Sequence, residues 1–89
     1  MSERRLVIAE EFAYGLANVY SDTLRKRIFG LLRSIQEFPG MGSADVRDSL
    51  VERYGEGLRK IGVSSFVVVY RLTDTTIEVL SLVYGPTIR

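Results

Sequence analysis

The sequence predicts an α+β fold: an N-terminal helical hairpin packed on one face of a small, twisted antiparallel sheet. Apolar residues recur at helical spacing through the N-terminal half of the 89-residue chain, then at strand spacing from Leu58 onward. Between the two regimes stands Phe38-Pro39-Gly40-Met41-Gly42, which no helix continues through. The expected order is β-α-α-(α)-β-β-β, with the bracketed helix short, in a single domain over residues 1–89.

Arg4-Arg5-Leu6-Val7-Ile8 reads as a short edge strand leading into a helix. Ile8, Phe12, Leu16, Val19 and Tyr20 then form one helical stripe, with Glu10 and Glu11 placed where negative charge suits the helix dipole. Ser21-Asp22-Thr23 supplies N-caps for a second helix, whose stripe is Leu24, Ile28, Leu31, Leu32, Ile35 and Phe38. Val46, Leu50, Val51 and Tyr54 fit one face of a third, short helix that Ser43 or Asp45 would cap and the glycines after Tyr54 would end. Leu58 to Val63 alternates imperfectly; Phe66 to Leu72 is β-branched and aromatic and reads as a central strand; Ile77 to Tyr84 is the last strand. Ser64-Ser65 and Thr73 to Thr76 are the turns of an antiparallel meander.

Composition removes several classes of function. With no Cys and no His, the usual zinc sites, disulfide scaffolds, catalytic triads and imidazole bases are all excluded. Twelve basic against 11 acidic side chains leave a net charge of +1, so a nucleic-acid role would rest on local clustering. No cofactor fingerprint is present, and no apolar run is long enough to span a membrane or act as a secretory signal. The expectation is a cytoplasmic protein with no cofactor and no bound metal.

The helical hairpin covers one sheet face and leaves the other with no evident cover. Strand alternation gives two sets in each strand: Phe66, Val68, Tyr70 and Leu72 against Val67, Val69 and Arg71, then Ile77, Val79, Ser81 and Val83 against Glu78, Leu80, Leu82 and Tyr84. Either choice leaves apolar residues on the open face, as at an interaction surface. Arg59 and Lys60 begin a strand as a basic pair suited to phosphate, or to ordinary ion pairing with Glu56 or Glu78. Arg25, Lys26, Arg27 and Arg33 cluster on the second helix, which fits a solvated face. Tyr14 and Phe29 lie off their stripes, to close the hairpin flank or to meet a second chain as in a homodimer.

The two helices ending in Phe38-Pro39-Gly40-Met41-Gly42, followed by Gly57-Leu58-Arg59-Lys60-Ile61, Phe66-Val67-Val68-Val69-Tyr70-Arg71 and Leu82-Val83-Tyr84-Gly85, resemble the RelE/ParE toxin superfamily of bacterial type II toxin–antitoxin systems. The resemblance runs over nearly the whole chain. It implies a toxin neutralised by a cognate antitoxin whose C-terminal segment wraps the fold. The open-face residues Val67, Val69, Arg71, Leu80 and Leu82 are then the candidate antitoxin contacts.

Two activities follow from the resemblance. The RelE-like branch cleaves messenger RNA on the ribosome without a metal; the ParE-like branch poisons DNA gyrase and is not a nuclease. A third outcome is an inactive interaction module that keeps the fold. For cleavage, the resemblance points to Lys60, Arg59, Tyr84 and Arg89. Lys60 matches a basic position of the RNA-cleaving members, whereas Val67 and Pro86 stand where those members carry Arg. Tyr84 stands where related sequences often carry His, and the terminal Arg89 is a partial substitute for the missing Arg. Losing one fixed charge at a phosphoryl transition state costs about 3–4 kcal/mol by analogy with oxyanion-hole deletions, so weak cleavage or none is expected.

Overall fold

A serine, a proline and two glycines fix the helical half of the molecule. The Ser21 hydroxyl accepts from the Leu24 N–H at 3.2 Å and starts the second helix. Pro39 stops that helix and opens a 3-10 turn, Pro39–Met41. The computed structural model describes residues 4–85. In chain order the elements are β1 Arg5–Ile8, α1 Glu10–Ala17, α2 Asp22–Glu37, α3 Asp48–Tyr54, β2 Leu58–Val63, β3 Phe66–Leu72 and β4 Thr76–Tyr84. This is the predicted α+β order.

α1 is shorter than its apolar stripe suggests. The Asn18 N–H bonds back to the Gly15 carbonyl and the Val19 N–H to the Leu16 carbonyl, which ends the helix. Val19 still reaches the core, but Tyr20 is 87% exposed and does not belong to the stripe. Gly15 allows α1 to lie close on β4: a Cβ there would sit 3.1 Å from the Leu82 carbonyl oxygen.

The sheet order is β1-β4-β3-β2. β2, β3 and β4 form the expected antiparallel meander, and Ser64 takes a left-handed conformation (φ 57°) in the tight turn between β2 and β3. β1 adds to the edge of β4 in parallel, with Leu6 opposite Ile77, so the sheet is mixed. Phe12, Ile28, Leu32 and Ile35 of the helices pack against Val68, Tyr70, Ile77, Val79 and Leu82 of the sheet.

A β-bulge changes the phase of β4. Val69 is opposite Ser81 and Tyr70 is opposite Val79, which leaves Leu80 as the extra residue. Before the bulge Ile77 and Val79 face the helices; after it Leu82 does. Strict alternation had placed Leu82 on the second face with Leu80. The bulge moves Leu82 into the helical core, so it is withdrawn from the candidate antitoxin contacts.

The second sheet face is also less open than expected. Leu58, Val69 and Ser81 are all buried yet do not belong to the helix-packed cluster, apart from which they share the opposite face. The segment around α3 crosses that face. The Tyr54 carbonyl accepts from the Arg71 guanidinium, and Leu50 and Tyr54 border a groove with Ser81.

A buried phenol ties the interhelical turn to the sheet. The fully buried Tyr70 donates its hydroxyl to the Pro39 carbonyl at 3.0 Å and accepts the Gly42 N–H at 3.1 Å. Gly42 must be glycine here, because a Cβ would lie 2.8 Å from the Lys60 carbonyl oxygen as well as against the phenol. Tyr70→Phe strands one buried donor and one acceptor and should cost about 1–3 kcal/mol in urea unfolding. Gly42→Ala should cost a similar amount, about 1–3 kcal/mol from overpacking. Because both changes break the same contact, the double variant should lose less than the two single losses added together.

Candidate functional site

Register decides which candidate residues can act together. Lys60 stands opposite Val69 and faces the α3 side of the sheet; Arg59 stands opposite Tyr70 and faces the helical hairpin. Neighbours on one strand cannot turn to the same ligand, so the basic pair is divided between two faces.

Arg59 is also engaged. Its Nη2 donates to the Gly40 carbonyl at 3.1 Å and to the Gly42 carbonyl at 2.8 Å, and its Nε is buried without a partner. These contacts fasten the same turn that Tyr70 holds. Lys60 lies at the sheet edge, where its backbone N–H and carbonyl exchange 2.9 Å hydrogen bonds with Ser43. Its ammonium makes no ion pair among the described residues.

Tyr84 stands opposite Phe66, and the two rings meet edge to face with centroids 5.6 Å apart. That register places it in phase with the hairpin-facing set and not with Lys60. Arg89 and Pro86 lie outside the described residues. The candidate cleavage set is therefore not brought together around one point among the residues described.

The candidate antitoxin contacts divide as well. Val67 and Leu80 are half-buried on the second face, whereas Val69 is fully buried. Arg71 is clamped: its Nε donates to Glu78 Oε1 at 2.8 Å, and its Nη1 reaches the Tyr54 carbonyl. It pairs with Glu78, the carboxylate considered above as a partner for Arg59 or Lys60.

The structure shows two concave surfaces that the sequence does not announce. The first, about 490 Å³, lies between α3 and the C-terminal half of β4, where Arg47, Ser49, Arg53, Tyr54 and Ser81 meet Glu11 of α1. Arg53 donates to Glu11 at 2.7 Å, and its guanidinium lies 5.3 Å from the centre of the Tyr54 ring. Burial pushes the Tyr54 hydroxyl above its ordinary range; contacts with Ser81 and Arg53 oppose this, and Glu11 adds to it. At neutral pH Tyr54 is thus a hydrogen-bond donor and not a base. Arg47, Ser49, Arg53 and Tyr54 make the groove rich in donors, with Glu11 as its one carboxylate.

The second surface is an apolar groove of about 460 Å³ on the hairpin flank, lined by Ile8, Ala13, Leu16, Ala17, Arg25 and Phe29. Of its lining, Ile8 and Phe29 are large apolar side chains left exposed. The off-stripe position of Phe29 is the sequence signal that pointed here; neither it nor the exposed Tyr14 closes the flank.

Both lines of geometry can be checked by stability measurements. Arg59→Ala should lower stability by about 1–3 kcal/mol, since it removes charged hydrogen bonds to two carbonyls; a residue acting only in catalysis would leave the melting temperature unchanged. For Tyr54, whose ordinary value is 10.0, the folded chain keeps its proton to higher pH than the unfolded chain. Above about pH 10 the unfolded state binds fewer protons, so stability falls as pH rises. Tyr54→Phe should make that alkaline fall less steep, read as the difference between urea midpoints at pH 9 and pH 11.

Comparison with known proteins agrees with this fold. The structure matches a double arginine-to-alanine mutant of E. coli toxin RelE in the free state, with TM-score 0.73 and 18% identity over 98% of this chain and 88% of that one. It also matches the intact E. coli RelBE toxin–antitoxin complex, with TM-score 0.65 and 20% identity over 90% of this chain and 94% of that one. No curated protein sequence matches the chain. Among the described residues no helix is long and apolar enough to cross a membrane. The family model for the ParE toxin of the type II toxin–antitoxin system parDE matches residues 8–85, nearly the full length, and the chain belongs to that family.

Proposed function

We propose that this toxin acts on its target by binding, as in the gyrase-poisoning branch, and is held inactive by a cognate antitoxin. The observation that carries the first part is the division of Arg59 and Lys60 between opposite sheet faces, with Arg59 committed to the Gly40 and Gly42 carbonyls. Metal-free RNA cleavage works through several fixed charges converging on one phosphate. The antitoxin part is supported by the family description and by the likeness to a toxin solved with its antitoxin.

The apolar flank suits that antitoxin. An apolar groove with Ile8 and Phe29 exposed in it is the kind of surface that a partner usually covers. An amphipathic segment would bury its apolar side there and meet Arg25 with an acidic one. Val67 and Leu80 remain candidates at the far end of such a wrapping segment.

The second reading, a ribosome-dependent mRNA endonuclease, rests on Lys60, whose ammonium forms no ion pair among the described residues. Purified protein assayed against gyrase supercoiling and against ribosome-bound message separates the two. Inhibition of supercoiling without message cleavage is expected. Cleavage that Lys60→Ala abolishes would establish the second reading instead. For the flank, Phe29→Glu should weaken antitoxin binding at least tenfold while growth arrest by the uninhibited toxin persists. Unchanged binding would move the antitoxin elsewhere.

A further inference from the structure

The chain between Ser43 and Leu58 has firm ends and a lightly held middle. At one end the Gly42 N–H is bound by Tyr70, and Ser43 is bridged to Lys60 by two backbone hydrogen bonds. At the other end Leu58 is buried at the start of β2. Between them, none of the α3 residues is buried. The helix starts at Arg47 without the side-chain cap that usually steadies a first turn. The hydrogen bonds of residues 44–47 are local: Val46 N–H to the Ala44 carbonyl, Asp45 N–H to the Ser43 hydroxyl, and the Leu50 and Val51 N–H groups to the Arg47 carbonyl.

Few contacts hold this middle to the rest of the molecule. Arg53 reaches Glu11 across a solvent-exposed gap, the Tyr54 carbonyl accepts from Arg71, and the Tyr54 hydroxyl sits by Ser81. Directly after α3 come Gly55 and Gly57, with φ of 94° and 85°. Both values lie where glycine is freest, which makes this stretch a natural pivot. The principal core, from Phe12 and Ile28 to Tyr70, lies on the opposite sheet face and has no part in α3.

From this arrangement we propose that residues 44–57 form a strap that swings off the second sheet face as a unit, pivoting at Gly55–Gly57, while the rest of the fold stays intact. The closed strap keeps Val69, Leu58 and Ser81 from water. The open strap uncovers them beside Lys60, widens the α3 groove, and turns a partly covered face into a continuous binding surface. Opening therefore regulates access to the face where Val67, Val69 and Leu80 stand. The partner's identity rests on the toxin reading above; the motion does not.

Native-state hydrogen exchange on the free protein, at increasing sub-denaturing urea, tests the strap. Amides of Leu50 to Tyr54 should exchange at least a hundredfold faster than those of Ile28, Val68 and Tyr70, with a urea dependence smaller than that of global unfolding. Arg53→Ala should speed the α3 amides about two- to fivefold, the usual reach of an exposed ion pair, and leave the Ile28 and Val68 amides unchanged. Glu11→Gln should do the same from the α1 side. Exchange of α3 together with the core, or an Arg53→Ala effect of equal size on every amide, would overturn the proposal. Neither result depends on gyrase, RNA or an antitoxin, so a failed strap and a failed toxin reading are told apart.

Discussion

The rest of the structure depends on what surrounds the Tyr70 hydroxyl. A phenol with no solvent contact must satisfy its polar atom inside the protein. Here it does so by binding both ends of the turn that follows α2, at Pro39 and at Gly42. Arg59 holds the same turn through the Gly40 and Gly42 carbonyls. The two side chains stand opposite each other in the β2–β3 register, so a single pair of sheet residues fixes where the hairpin ends and where the crossing segment begins. The glycine at position 42 follows from this packing: the phenol and the Lys60 carbonyl occupy the space a side chain would need.

That knot also settles what is left for function. It consumes Arg59 and pins Ser43 against Lys60, which leaves Lys60 at an edge, on the face away from its neighbour. Arg71 and Arg53 are similarly committed, to Glu78 with the Tyr54 carbonyl and to Glu11. Three of the cations that the sheet and α3 offer thus hold the fold's own segments. The Arg71–Glu78 pair, about one-third exposed on each side, contributes more through geometry than through net energy.

Much of the architecture was legible in the sequence because its signals are local. The 3.6-residue stripe of α2, the Pro-Gly break and the β-branched β3 each announce themselves within a few residues. The site was less legible because its determinants are pairings. The bulge at Leu80 shifts Leu82 from the second face to the core, and nothing in Ile77 to Tyr84 marks the extra residue before the partner strand is known. The α3 groove joins Arg47 and Arg53 of one segment to Glu11 and Ser81, which lie far from it in the chain and share no motif with it. Ser81 alone left a trace, as the one polar residue in the run from Val79 to Val83.

The parallel placement of β1 gives the two grooves a common origin. β1 pairs only with the first half of β4, from Thr76 to Val79, so the second half has no strand on that edge. α1 takes its place there, close enough through Gly15 to touch the Leu82 backbone. Glu11 is thereby carried to the edge from which it can reach Arg53 on the other side of the sheet. The same turn from β1 into α1 leaves Ile8, Ala13 and Leu16 facing Phe29 across the flank. One short strand thus sets up both surfaces: a polar one closed by an ion pair that water can compete for, and an apolar one that water cannot satisfy. The first is suited to opening and closing, and the second to a lasting partner.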